Sequence, residues 1–150
     1  MTILFCLNNI AYVDRLQSHG DTQRETTKVH RLGDVTYACA GDPDFADMIM
    51  TSLDRNGDWF SPITVQPAAE RKNDVIVARI NSVLYRLSFA ACDQPRFSPI
   101  RQPEGGLPSE IAGSAWAMFQ AYFLEHRDVH VAYELVRKHS STVGGALEQF

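Results

Sequence analysis

The sequence predicts an α+β protein in which antiparallel sheets carry helices on their outer faces. Three observations lead there. Short apolar runs come in pairs around turn dipeptides; helical periodicity appears once after the second pair and twice in a row near the C-terminal end; and strands never alternate with helices as a parallel sheet requires. With 150 residues, 45% of them hydrophobic, the chain can bury one good core and not two, so residues 1–150 are expected to form a single domain.

Taken in order, Thr2 to Leu7 and Ile10 to Val13 flank Asn8-Asn9, a pair that tolerates positive φ and suits a hairpin. Arg15 to Glu25 is polar and reads as an exposed loop. Thr26 to Leu32 and Val35 to Ala40 form a second β pair around Gly33-Asp34, with Val29, Val35 and Tyr37 as β formers. Gly41-Asp42-Pro43-Asp44 then offers an N-cap aspartate, a first-turn proline and a further acid. Phe45, Met48, Ile49 and Leu53 follow at helical spacing until Asn56-Gly57 stops the run.

Asp58 to Lys72 has no clean period and is expected to be loop with a short strand at Ile63 to Val65. Asp74 to Ile80 and Val83 to Leu87 flank Asn81-Ser82 as a third hairpin, and Gln94 to Pro108 stays unassigned. Ile111 to His126 and Val129 to His139 have helical spacing, with a turn near Arg127-Asp128, and Thr142 to Phe150 closes the chain as a strand.

The formal charge of −4 is spread along the chain, so no basic face suits nucleic acid and no cationic amphipathic stretch suits a membrane surface. The opening apolar run is far shorter than the roughly 20 residues of a membrane span and lacks the basic lead-in of a signal peptide. Cys6, Cys39 and Cys92 are odd in number and widely spaced, which predicts neither a disulfide framework nor a zinc site and fits a reducing cytoplasm. His126 and His130 are four apart but straddle the turn, and no HExxH pattern accompanies them. No metal and no cofactor are expected.

Thr2 stands directly behind Met1. Once that methionine is removed, one residue holds both a hydroxyl nucleophile and a free α-amine to take its proton. Such an amine has a pKa of about 8. A neighbouring ammonium lowers it further by disfavouring the protonated form.

Further landmarks keep their order: Asp14 after the first hairpin, Thr27-Lys28-Val29-His30-Arg31-Leu32, Ala38-Cys39-Ala40-Gly41-Asp42 turning into a helix, Ile111-Ala112-Gly113-Ser114 opening the later helices, and the final Gly144-Gly145. Together with Met1-Thr2 they make the sequence resemble the proteasome β-subunit family, especially its bacterial HslV-type members and short phage and bacterial relatives. The resemblance implies an αββα four-layer sandwich, the N-terminal-nucleophile hydrolase fold. Its helical layer is reduced, because the length missing here falls where the family carries a second helix packed on the first. The loop after Asp14 also lacks the family's small, threonine-containing stretch.

By that resemblance Thr2 is nucleophile and base, Lys28 its electrostatic tuner, Asp14 the partner of Lys28, the Gly41 N–H an oxyanion donor and Ser114 a proton relay. It implies a threonine-type peptidase that self-associates, as a ring in relatives, and takes polypeptide from an ATP-driven unfoldase. Each position also has an ordinary use: Thr2 begins a strand, Asp14 ends a turn, Lys28 is a solvated strand residue, and Gly41 and Ser114 start helices. The alternative is therefore a non-catalytic binding or assembly module of the same fold, such as a phage accessory protein acting on a host partner.

Overall fold

Asn8 and Asn9 take φ of 52° and 62° and close the turn between β1 (Leu4–Leu7) and β2 (Ile10–Val13), as the dipeptide predicts. The same device recurs at Asn81 and Ser82, with φ of 52° and 69°, between β7 (Val75–Ile80) and β8 (Val83–Ser88). The computed structural model describes residues 3–19, 21–64, 71–90 and 94–150. Thr2, Val65 and Cys92, each assigned a part by the sequence, lie outside the described residues.

Two compact units divide the chain, one of residues up to Lys28 with Gln102–Gln149, the other of Val29–Arg101 with Phe150. In the first, β1 is central to an antiparallel sheet ordered β10-β1-β2-β11, where β10 is Ser109–Ala112 and β11 is Glu148–Gln149. Ile3, Phe5 and Leu7 point to the face covered by two helices, α2 (Trp116–His126) and α3 (Val129–His139), and pack on Phe119, Phe123 and Tyr133. Leu4 and Cys6 point the other way and are buried too, which is why the strand reads as a continuous apolar run. Arg127 reverses the chain between the helices at φ 54°, and the Asp128 carboxylate caps α3 by accepting from the Val131 N–H.

The second unit is a five-stranded antiparallel sheet ordered β5-β6-β7-β8-β9, with β5 His30–Leu32, β6 Val35–Ala40 and β9 Ser98–Pro99. One face carries α1 (Pro43–Asn56), whose Ala46, Ile49, Met50 and Leu53 bury against Tyr37, Ile76 and Leu87. The helix starts and stops where the sequence says. Asp42 accepts from the Asp44 and Phe45 N–H groups, Pro43 takes the first turn, and Gly57 closes the end at φ 71°.

Several expectations need correction. Residues 15–25 are not a loop but a hairpin, β3 (Leu16–His19) with β4 (Thr22–Glu25); β4 is wholly exposed, so no apolar alternation announces it. Ile111 belongs to strand β10, not to a helix, because Ser109 to Ala112 pair with Leu4 to Cys6; Gly113 at φ 148° separates strand from helix, and Ile111 and Ala115 mimic helical spacing across that break. The strand expected from Thr26 starts only at His30. The closing strand shrinks to Glu148–Gln149, since Gly144 and Gly145 are drawn into other bonds.

Neither Ile63 nor Thr64 is in a strand, although the Ile63 N–H donates to the Pro95 carbonyl at 2.7 Å. Among the described residues there are three α-helices, none between Asn56 and Val75, and no helix is long and apolar enough to cross a membrane.

Candidate active site

Asp14 follows the last residue of β2 and is completely buried. An ionised carboxylate there needs its lone pairs filled, and the chain supplies four donors. Oδ1 accepts from the Ile3 N–H at 3.2 Å and the Lys28 ammonium at 2.8 Å. Oδ2 accepts from the N–H groups of Leu16 at 3.3 Å and Gly144 at 3.2 Å. The β1–β2 register explains the first contact: Leu4 pairs with Val13, so Ile3 and Asp14 meet one step on, and the Asp14 N–H returns a bond to the Ile3 carbonyl.

The Lys28 side chain is only 13% exposed, so its pairing with Asp14 is weakly screened by solvent. Oδ1 binds both the ammonium and the amide of the residue after Thr2. The two nitrogens therefore lie no farther apart than those two bonds laid end to end.

A second polar group flanks the same end of β1. Ser114, exposed, lies two residues beyond Ala112, the partner of Leu4, and its hydroxyl donates to Thr142 Oγ1 at 3.1 Å. Thr142 Oγ1 is 2.9 Å from Ser140 Oγ, and the Thr142 N–H donates to that serine. Two residues on, Gly144 reaches Asp14. Ser114 thus does not cap α2: Ala115 precedes that helix without a side-chain cap bond.

Gly41 lies in the other unit, at the end of β6. Its φ of 108° excludes most side chains, and a β-carbon there would sit 2.3 Å from Asp74 Oδ1. Asp74, nearly buried, accepts the Asp42 N–H at 3.2 Å, while the Asp42 carboxylate pairs with Arg71 at 2.7 Å. Burial holds the Asp74 carboxyl above its ordinary range, and the charge of Asp42 adds to this; the Asp42 N–H and the Arg71 guanidinium pull the other way.

An acid whose folded pKa exceeds its unfolded value keeps its proton better when folded. Its contribution then falls as pH rises from about 3.8 through the raised folded value, and recovers on acidification. Asp74→Asn removes that dependence. In urea unfolding, the stability of the wild type relative to Asp74→Asn is expected to improve between pH 7 and pH 4.

Of the residues singled out in the sequence, Asp14 and Lys28 meet, and Ser114 lies in the same unit, as does the Gly144 amide. Sequence reasoning missed Thr142, Tyr133, Glu148 and Asp74. Tyr133 is buried and donates its hydroxyl to the Gly145 carbonyl at 2.8 Å, steadying the glycine pair beside Asp14; burial and the Asp14 charge raise its pKa. Only Gly144-Gly145 gave a signal in that region. Among the described residues no three His, Cys, Asp or Glu side chains are grouped to hold a metal.

No protein-family model matches the sequence, and no curated protein matches it either. Solved structures do. HslV from Trypanosoma brucei superposes with a TM-score of 0.63 at 14% identity, covering 100% of this chain and 98% of that one. BPH from Thiobacillus denitrificans, in complex with epoxomicin, gives 0.55 at 12%, covering 99% and 96%. Anbu, an ancestral β-subunit from Yersinia bercovieri, gives 0.57 at 11%, covering 99% and 79%. The protein therefore has the fold of the proteasome-type subunits, the N-terminal-nucleophile proteins to which these three belong.

Proposed function

We propose that the protein is a threonine-type amidohydrolase acting on polypeptide, with Thr2 as nucleophile after removal of Met1. One observation carries the reading: a single buried carboxylate, Asp14, binds both the Ile3 amide and the Lys28 ammonium. That arrangement brings a fixed positive charge to the start of β1. Positive charge beside an α-amine favours its neutral form, which is the form able to act as base.

In the reaction the Thr2 hydroxyl oxygen attacks the substrate carbonyl carbon while its proton passes to the α-amine. The Gly41 N–H stabilises the oxyanion. As the C–N bond breaks, the leaving nitrogen takes that proton, with Ser114 as relay. Water then attacks the Thr2 ester by the same proton path and frees the acid. Asp14 holds Lys28 in place throughout.

The proposal extends to one proteasome-subunit domain over residues 1–150, layered as an αββα sandwich, working in the cytoplasm as a homo-oligomer, a ring in form, fed by an ATP-driven unfoldase. Coverage of nearly the full length of HslV supports the single-domain part. A non-catalytic module is the second reading; it is favoured by the lack of an α-helix between α1 and β7 among the described residues, and by backbone conformation and the Asp74 contact together accounting for the glycine at 41 without a catalytic role.

Intact-mass measurement separates the two. The peptidase is expected to lack Met1 and to gain one epoxomicin mass, mapped to Thr2, with no gain in Thr2→Ala. Folded protein that keeps Met1, or stays unlabelled, supports the module instead.

A further inference from the structure

Lys28 lies outside any strand, because β5 begins only at His30. Its backbone is held instead by a side chain from far along the sequence. Glu148 Oε1 accepts the Lys28 N–H at 2.9 Å, and Glu148 Oε2 accepts the Thr27 hydroxyl at 2.7 Å. The Arg15 Nε lies 3.9 Å from the same Oε1. Glu148 is itself fixed by the sheet, where it pairs with Val13, the residue before Asp14. One residue thus ties the backbone carrying the ammonium to the strand carrying its carboxylate partner.

We infer that Glu148 is a positioning residue: its carboxylate fixes the Thr27–Lys28 backbone where the Lys28 ammonium reaches Asp14. The inference rests on the threonine-hydrolase reading for its catalytic meaning, and on unit geometry alone for the placement. Packing cannot replace this contact. Thr27 and Lys28 are polar, and a carboxylate spanning a hydroxyl and the next amide fixes two adjacent residues at once. Its role is orientation, not charge. A glutamine at 148 still offers an oxygen to the Lys28 N–H and an amide N–H to the Thr27 oxygen.

Two readouts test this in the full chain: the side-chain ammonium resonance of Lys28 in nitrogen-15 NMR, and the rate of epoxomicin labelling at Thr2. In Glu148→Ala the resonance is expected to broaden or vanish through faster proton exchange. Labelling is expected to slow roughly 10- to 100-fold, as for a misplaced catalytic group. Glu148→Gln is expected to restore both.

If Glu148→Ala does not fold, Glu148→Asp, one methylene shorter, is expected to show the same direction with a smaller loss. A folded variant with both readouts unchanged overturns the inference, as does failure of Glu148→Gln to rescue a folded protein. An unlabelled wild type sinks the threonine reading, and the Lys28 resonance in Glu148→Ala then decides the placement by itself.

Discussion

Lys28→Met is expected to destabilise the fold by about 3–5 kcal/mol in urea unfolding, the loss typical of a buried ion pair deprived of one partner. Methionine keeps most of the lysine's length, so little of this is a packing cost. The cost arises because Asp14 is fully buried and would lose its cationic partner, leaving backbone N–H donors as its partners among the described residues. Exchanging Asp14 for Asn in the Lys28→Met background is expected to recover part of the loss, since a neutral amide leaves no unmatched charge. The pair is thus predicted to be non-additive. Epoxomicin labelling is expected to fall in both variants, with no recovery in the double. A Lys28→Met protein of unchanged stability would mean that the ammonium does not pair with Asp14.

Gly41→Ala is expected to cost about 2–4 kcal/mol, from two sources that can be separated. A φ of 108° strains any L residue by about 1–3 kcal/mol. The added β-carbon would also meet Asp74 Oδ1 at 2.3 Å, and that carboxylate cannot swing away without releasing the Asp42 N–H. Asp74→Ala in the same chain removes the collision and leaves the strain, so the double variant is expected to be more stable than the sum of the single losses. Thermal or urea unfolding of the four proteins reads out the cycle; strict additivity would show that the contact does not limit position 41.

Local signals in the sequence account for the turns and the caps. Asn8-Asn9, Asn81-Ser82, Asp42-Pro43 and Gly57 act within a few residues of themselves, so their chemistry is written next to their effect. Asp14, Lys28 and Ser114 were legible only through the ordered set of landmarks. What stayed hidden depends on contacts far apart in the chain. The Glu148 carboxylate lies 120 residues from the amide it binds. The β3–β4 hairpin has no apolar face to reveal it, and Ile111 sits in a strand because of pairing with β1, which no local window contains. Asp74 gave no signal because its neighbour is a glycine, which offers no side chain to pair with.

The four donors on Asp14 come from positions 3, 16, 28 and 144. During synthesis the first three are made early, while the Gly144 amide follows Asp14 by 130 residues. Until then the carboxylate lacks its fourth donor, and the segment carrying Thr142 and Glu148 is absent. The surroundings of the buried carboxylate therefore close late, when a distant stretch of the same unit returns to the end of β2.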